Sequence, residues 1–142
     1  MRRDDAGNAA LEFLTLGVLL LVPLLYLVVT VGRVQAASMA ADGAASLGAR
    51  ALSSADDERT GRRAAAGALE LGLRDHGLTD VRHELDVTCS AAACLTPGAR
   101  VQVTVTLEVP LPVVPQFLGP PAVTVRAHQT AVVDQYRAAG AR

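Results

Sequence analysis

Few residues in this 142-residue chain are equipped for chemistry, and one of them stands in a costly place. Glu12 heads the run FLTLGVLLLVPLLYLVVTVG, 20 residues from Phe13 to Gly32 without a charge. A carboxylate at the end of so apolar a run is expensive to hold there, which makes it a candidate functional group. Two readings follow. Glu12 is a helix-end anion welcomed by the positive end of the macrodipole, or the string Gly7-Asn-Ala-Ala-Leu-Glu12-Phe13 is a processing and assembly signal. The cysteines, Cys89 and Cys94, are free thiols or half of a metal site in a reducing compartment and a disulfide in an oxidising one. His76, His83 and His128 show no metal-ligand spacing with each other or with the cysteines. No phosphate-binding glycine loop follows a strand, no nucleophile elbow is present, and no acid–base pair stands out. The expectation is a protein that is not an enzyme, with no cofactor, no metal and no small-molecule substrate.

The elements that carry these residues begin with the apolar run itself. At 1.5 Å per residue, 20 helical residues span about 30 Å, the thickness of a bilayer's hydrocarbon core. A buried core helix is the alternative, but the rest of the chain is too small to wrap so apolar a helix on all sides. A cleaved secretory signal is another: its apolar region is shorter, yet the small residues of Val34-Gln-Ala-Ala-Ser38 offer a cut near Ala37. Arg2 and Arg3 precede the helix and a single Arg33 follows it, so the positive-inside rule favours a cytoplasmic N-terminus and an outside C-terminal domain. That compartment makes Cys89–Cys94 a disulfide. Pro23, in mid-span, removes a backbone donor and should kink the helix or loosen a turn.

A glycine, four residues, Glu-Phe and then an uncharged stretch resembles the processing signal of type IV pilins and pseudopilins. GNAALEF before an apolar run with a central proline is most similar to the TadE-like minor pilins of the tight-adherence (Flp, type IVb) pilus system. The resemblance covers about 25 residues. It implies cleavage by a prepilin peptidase after Gly7, a new terminus at Asn8, and retention of the helix as anchor and assembly element through Glu12 and Phe13. It also implies other pilin or pseudopilin subunits and the pilus assembly machinery as partners, in a cytoplasmic membrane or surface pilus. Asn8 departs from the phenylalanine of the best-known pilins, which bears on N-methylation of the new terminus and not on the cut. The physics needs no family: the Asn8 ammonium and the Glu12 carboxylate each pay desolvation at a membrane surface, and pairing recovers much of it. The alternative is an unprocessed, membrane-anchored binding module.

Beyond Arg33 the chain is rich in small residues: Ala36, Ala37, Ala40, Ala41, Gly43, Ala44, Ala45, Gly48 and Ala49. Alanine favours helix, so the anchor helix should continue to about Leu52. A small-residue face admits close approach, either of its own domain or of a neighbouring subunit. A second helix should start near Ser54, where Ser54-x-x-Asp57 is box-like, and stop at Gly77. Ala65, Ala68, Leu69 and Leu73 recur at helical spacing. The period then changes to two: Val81–Cys89, with His83 on the apolar face; Val101–Val109; and a run from Val123 to about Tyr136. The five prolines of Pro110–Pro121 cannot lie in a sheet interior and make a long connection, tacked down by Leu111, Val114 and Phe117.

The fold class is therefore α+β: a long N-terminal helix continuing out of the membrane, a short second helix, and an antiparallel sheet of about three strands. The division is residues 1–7 as cytoplasmic leader, 8–33 as transmembrane anchor, and 34–142 as extracytoplasmic α+β domain. An aromatic content of 3% without Trp leaves few walls for a deep ligand pocket. A net charge of −1 gives no reason for a nucleic-acid partner.

Overall fold

The structure, a computed structural model, describes residues 5–111 and 122–136, with side chains from Ala10 onward. Five elements follow in order: α1 (Asp5–Ser54), α2 (Glu58–Asp75), β1 (Arg82–Cys89), β2 (Arg100–Pro110) and β3 (Ala122–Val132). The chain divides into two compact units, Met1–Arg33 and Val34–Arg142. The α+β architecture read from the sequence is the one observed.

In the first unit α1 carries Leu and Val on every side. Phe13 is 80% exposed and Leu20 74%. The 18-residue apolar window of this helix has mean hydropathy 2.6, and none of it is buried inside the chain. It is long and apolar enough to cross a membrane. The helix runs through Pro23 without a break. Thr15 Oγ1 donates to Leu11 O at 2.7 Å and Thr30 Oγ1 to Tyr26 O at 2.8 Å, so both hydroxyls are satisfied within the helix. A bilayer interior requires that economy.

In the second unit α1 continues from Val34 with Ala37, Ala40, Ala41, Ala44, Ala45, Gly48, Ala49 and Leu52 buried. This small-residue face is spent on the chain's own domain. The buried face of α2 is Gly61, Ala65, Leu69 and Leu73. The two helices run antiparallel and very close. A Cβ placed on Gly48 would stand 3.2 Å from Ala65 Cβ and 3.4 Å from Val103 Cγ1, and one on Gly61 would stand 2.6 Å from Leu52 Cδ1 and 3.0 Å from Leu52 Cα. Glycine at these two crossings lets the backbones meet.

The sheet order is β1-β2-β3, all antiparallel. Val101, Val103, Val105, Leu107 and Val109 of β2 are fully buried, and they join the α1 and α2 faces in a single core. The intervening Gln102, Thr104, Thr106 and Glu108 stay partly exposed on the other face. That alternation is the mark of a sheet covered on one side. Arg82 and Glu108, opposite each other on the open face, form an ion pair at 2.8 Å.

Three boundaries differ from the sequence reading. The N-cap of α2 is Asp57, not Ser54: Asp57 Oδ1 accepts from Thr60 N at 2.9 Å and Oδ2 from Thr60 Oγ1 at 2.7 Å. Ser54 instead closes α1, its hydroxyl donating to Arg50 O at 2.8 Å. β3 stops at Val132, short of Tyr136, because Asp134 Oδ1 takes Tyr136 N at 2.8 Å into a local turn. Pro110 lies inside β2, at its last position opposite Ala122, where a lost donor costs least. Of the tacking residues, Leu111 is half-buried, while Val114 and Phe117 lie outside the described residues. The expected stop at Gly77 is observed, with φ 65°, and Leu78 N bonds back to Leu73 O at 2.8 Å.

Candidate functional site

The segment that carries the sequence signal is the first part of α1. Gly7 and Asn8 lie within its helical backbone, ahead of the residues whose side chains are described. Glu12 is exposed on the same helix. Four residues of α-helix rise about 6 Å and return to nearly the same face, so positions 8 and 12 lie on one side of α1. Phe13, the next residue, is almost fully exposed. The segment thus presents a carboxylate and an aromatic ring side by side, followed by exposed Leu14, Leu16 and Val18. Such an arrangement offers apolar surface to bury and a charge to pair.

Cys89 and Cys94 form a disulfide across a Cα–Cα distance of 5.2 Å. Cys94 is buried at 6% exposure and belongs to the core. The loop that the bridge closes is also sewn to β2: Ser90 N donates to Arg100 O and Arg100 N to Ser90 Oγ, both at 2.9 Å. Thr96 then turns the chain, its carbonyl accepting Ala99 N at 2.9 Å, with Gly98 at φ 78°. Closing so small a loop contributes about 2 kcal/mol in the chain-entropy account. The site is structural; its sulfurs are consumed.

His83 sits on the core-facing side of β1, opposite Leu107, as the alternation implied. It lies near the sheet edge and 34% exposed, with Nε2 3.2 Å from Glu70 Oε1 of α2 and Nδ1 3.3 Å from Val81 O. Sequence reasoning missed this link between α2 and β1, because helix-to-strand pairing leaves no periodic signal. Among the described residues, no group of three or more His, Cys, Asp or Glu side chains is placed to hold a metal ion.

Compared with models of protein families, with curated proteins and with solved structures, the chain matches none. What the site can do is therefore argued from its own geometry. A hollow of about 430 Å³ at the end of α1 is lined by Ser53, Ser54, Asp56, Val132 and Asp134. Its two serine hydroxyls are taken up by Arg50 O, and Asp134 by the Tyr136 amide. Three of its four polar side chains are thus engaged in local turns and helix ends. Among the described residues, the largest uncovered apolar surface is instead that of α1 from Leu11 to Val31. A surface of that size needs a membrane or other protein to cover it.

Proposed function

We propose that this chain is a membrane-anchored, pilin-like structural subunit or assembly component of a tight-adherence (type IVb) pilus, matured by prepilin peptidase cleavage after Gly7. The observation that carries the reading is the coincidence, on one unbroken helix, of Gly7, of Glu12 five residues on, and of an uncharged, uncovered surface beginning at Phe13. Each feature alone has an ordinary explanation. Together they fit a helix that is kept after processing and moves from lipid into a protein assembly. The N-terminus lies in the cytoplasm and the domain from Val34 outside, where the Cys89–Cys94 disulfide is at home.

In this reading, cleavage leaves an ammonium on Asn8 that pairs with Glu12 of a neighbouring subunit and sets the axial register. A single polar pair does this in an apolar seam because a shift leaves both charges dehydrated and unpaired. The partners are the peptidase, other pilin or pseudopilin subunits and the membrane; the function is not enzymatic.

The test has two readouts. Mass spectrometry of the protein from cells with a matching peptidase should give a chain beginning at Asn8. A chain still beginning at Met1 removes the processing claim, and one beginning near Ala37 makes this an ordinary secreted protein. Glu12→Ala should insert and be cut normally, yet co-purify poorly with other pilus subunits. Normal recovery would reduce Glu12 to a favourable helix-end charge.

A further inference from the structure

The open face of the sheet carries its charges in an ordered way. Reading across the register, Glu84 of β1 stands opposite Thr106 of β2, which stands opposite Arg126 of β3. The next row is Asp86, Thr104, His128, and the one after it Thr88, Gln102, Thr130. The first two of these rows begin with an acid at the β1 edge and end with Arg126 or His128 at the β3 edge, while the row before them runs Arg82, Glu108, Thr124. Thr106 Oγ1 takes Arg126 Nε at 3.4 Å, so this guanidinium lies along its row.

Both strands are edges. Among the described residues, no backbone hydrogen bond leaves the outer side of either one. Both run antiparallel to β2 and so parallel to each other. A second copy moved sideways along the rows thus sets its β1 beside β3 of the first, with the same faces aligned and no shift in register. Arg82–Cys89 then spans residues 124–131, the full length of β1. Glu84 meets Arg126, Asp86 meets His128, and Thr88 meets Thr130.

We infer that β3 of one copy pairs with β1 of a second copy through these rows, joining the sheets edge to edge. In this contact Glu84 of one copy faces Arg126 of the next, and Arg82 faces the uncharged Thr124, so no like charges are set opposite each other. Opposite charges directly opposite each other favour pairing, so the charge pattern suits the head-to-tail contact. Such a contact does not close on itself. With the right-handed twist of the sheet it winds repeated copies into an open helical row. Eight paired residues bury little beside the roughly 1,600 Å² of a standard interface, so the contact is weak in dilute solution and strengthens where copies are concentrated. The inference deepens the subunit reading by naming a contact between copies, and it uses neither the cut at Gly7 nor Glu12.

The experiment is sedimentation of the purified full-length chain in detergent micelles over a range of concentrations, on wild type, Glu84→Arg, Arg126→Glu and their equimolar mixture. Both substitutions are on the exposed face, and circular dichroism checks that each variant folds. Wild type should self-associate reversibly. Each single variant should associate about tenfold more weakly, since a favourable cross-strand pair becomes a like-charge pair. The mixture should recover most of the wild-type affinity. In it the substituted β1 edge of the first variant meets the substituted β3 edge of the second, which restores an opposite-charge pair with its signs exchanged. The two unsubstituted edges meet as Glu84 and Arg126. Wild type that stays monomeric, single variants that associate like wild type, or a mixture no better than its parts would overturn the proposal. Association through the apolar helix alone would survive both substitutions, which is the second of these outcomes. Membrane retention and the mature mass are measured separately on the same proteins, so a failed pilus reading is told apart from a failed edge contact.

Discussion

The two halves of α1 form one helix and meet opposite fates. From Leu11 to Val31 the side chains are mostly Leu and Val, and these point outward uncovered. From Ala37 to Ala49 they are mostly Ala and Gly, and they are buried almost completely on the face turned to the domain. Hydrophobicity alone would bury the first half and leave the second marginal. Size explains the reversal. A helix studded with Leu needs a fluid or adaptable partner, whereas one faced with Ala and Gly lets α2 and the sheet come within van der Waals contact of its backbone. The large residues stay uncovered, and the small ones build the domain.

The comparison breaks most visibly under truncation of a large side chain. Leu52→Ala removes a fully buried residue at the end of the packed half and should lower the stability of the domain by about 2–5 kcal/mol. Leu20→Ala deletes the same atoms from the uncovered half and should leave domain unfolding unchanged. Thermal unfolding of the full chain in detergent measures both, and equal effects would show that the first half packs on the domain after all. Next come the glycines. Gly61→Val drives into Leu52, and the overpacking should cost about 1–3 kcal/mol. Gly43→Ala, on a position with nothing within 4 Å, should be neutral or stabilising by up to about 1 kcal/mol. If both glycines tolerate substitution alike, close approach is not what holds α1 to α2.

The smallest effect is at the start of α2. The side-chain bond from Thr60, and then its backbone bond, hold the Asp57 carboxyl below the usual carboxylate range. A depressed folded pKa adds stability above the unfolded value of about 3.9, and that stability is lost as pH falls through the folded value. Asp57→Asn keeps an acceptor for the Thr60 amide but does not titrate. Its melting temperature should lie slightly below wild type at neutral pH, with the gap closing in acid. A gap independent of pH would mean that the cap acts only by geometry.

Much of this fold was legible because its signals are periodic. Val101 to Val109 alternate strictly, and that strand is fully buried on one face and part-exposed on the other. Leu69 and Leu73 recur at helical spacing and are buried in α2. The cysteine pair was legible from its short separation and from the oxidising compartment that an anchor helix led one to expect. Ends were harder. Ser54 and Asp57 both suit a helix start, and only the Thr60 bonds decide for Asp57. At the candidate site, Gly7, Asn8, Glu12 and Phe13 are a one-dimensional signal, read in the sequence as well as in the structure. The acid-to-base rows across the sheet were hidden, because they join residues about 40 apart through two registers.

By itself the sequence determined that one helix would be too apolar for water, that a smaller α+β unit would follow it, and where the strands would alternate. Those properties are sums over neighbours in the chain, and local periodicity carries them. Tertiary structure decided which partner each face took. The alanine stripe of α1 could have met a second subunit or its own domain. The choice fell to its own domain because α2 and β2 bring Ala65 and Val103 close against Gly48. Close packing is a property of two surfaces at once, and one chain of letters states only half of it.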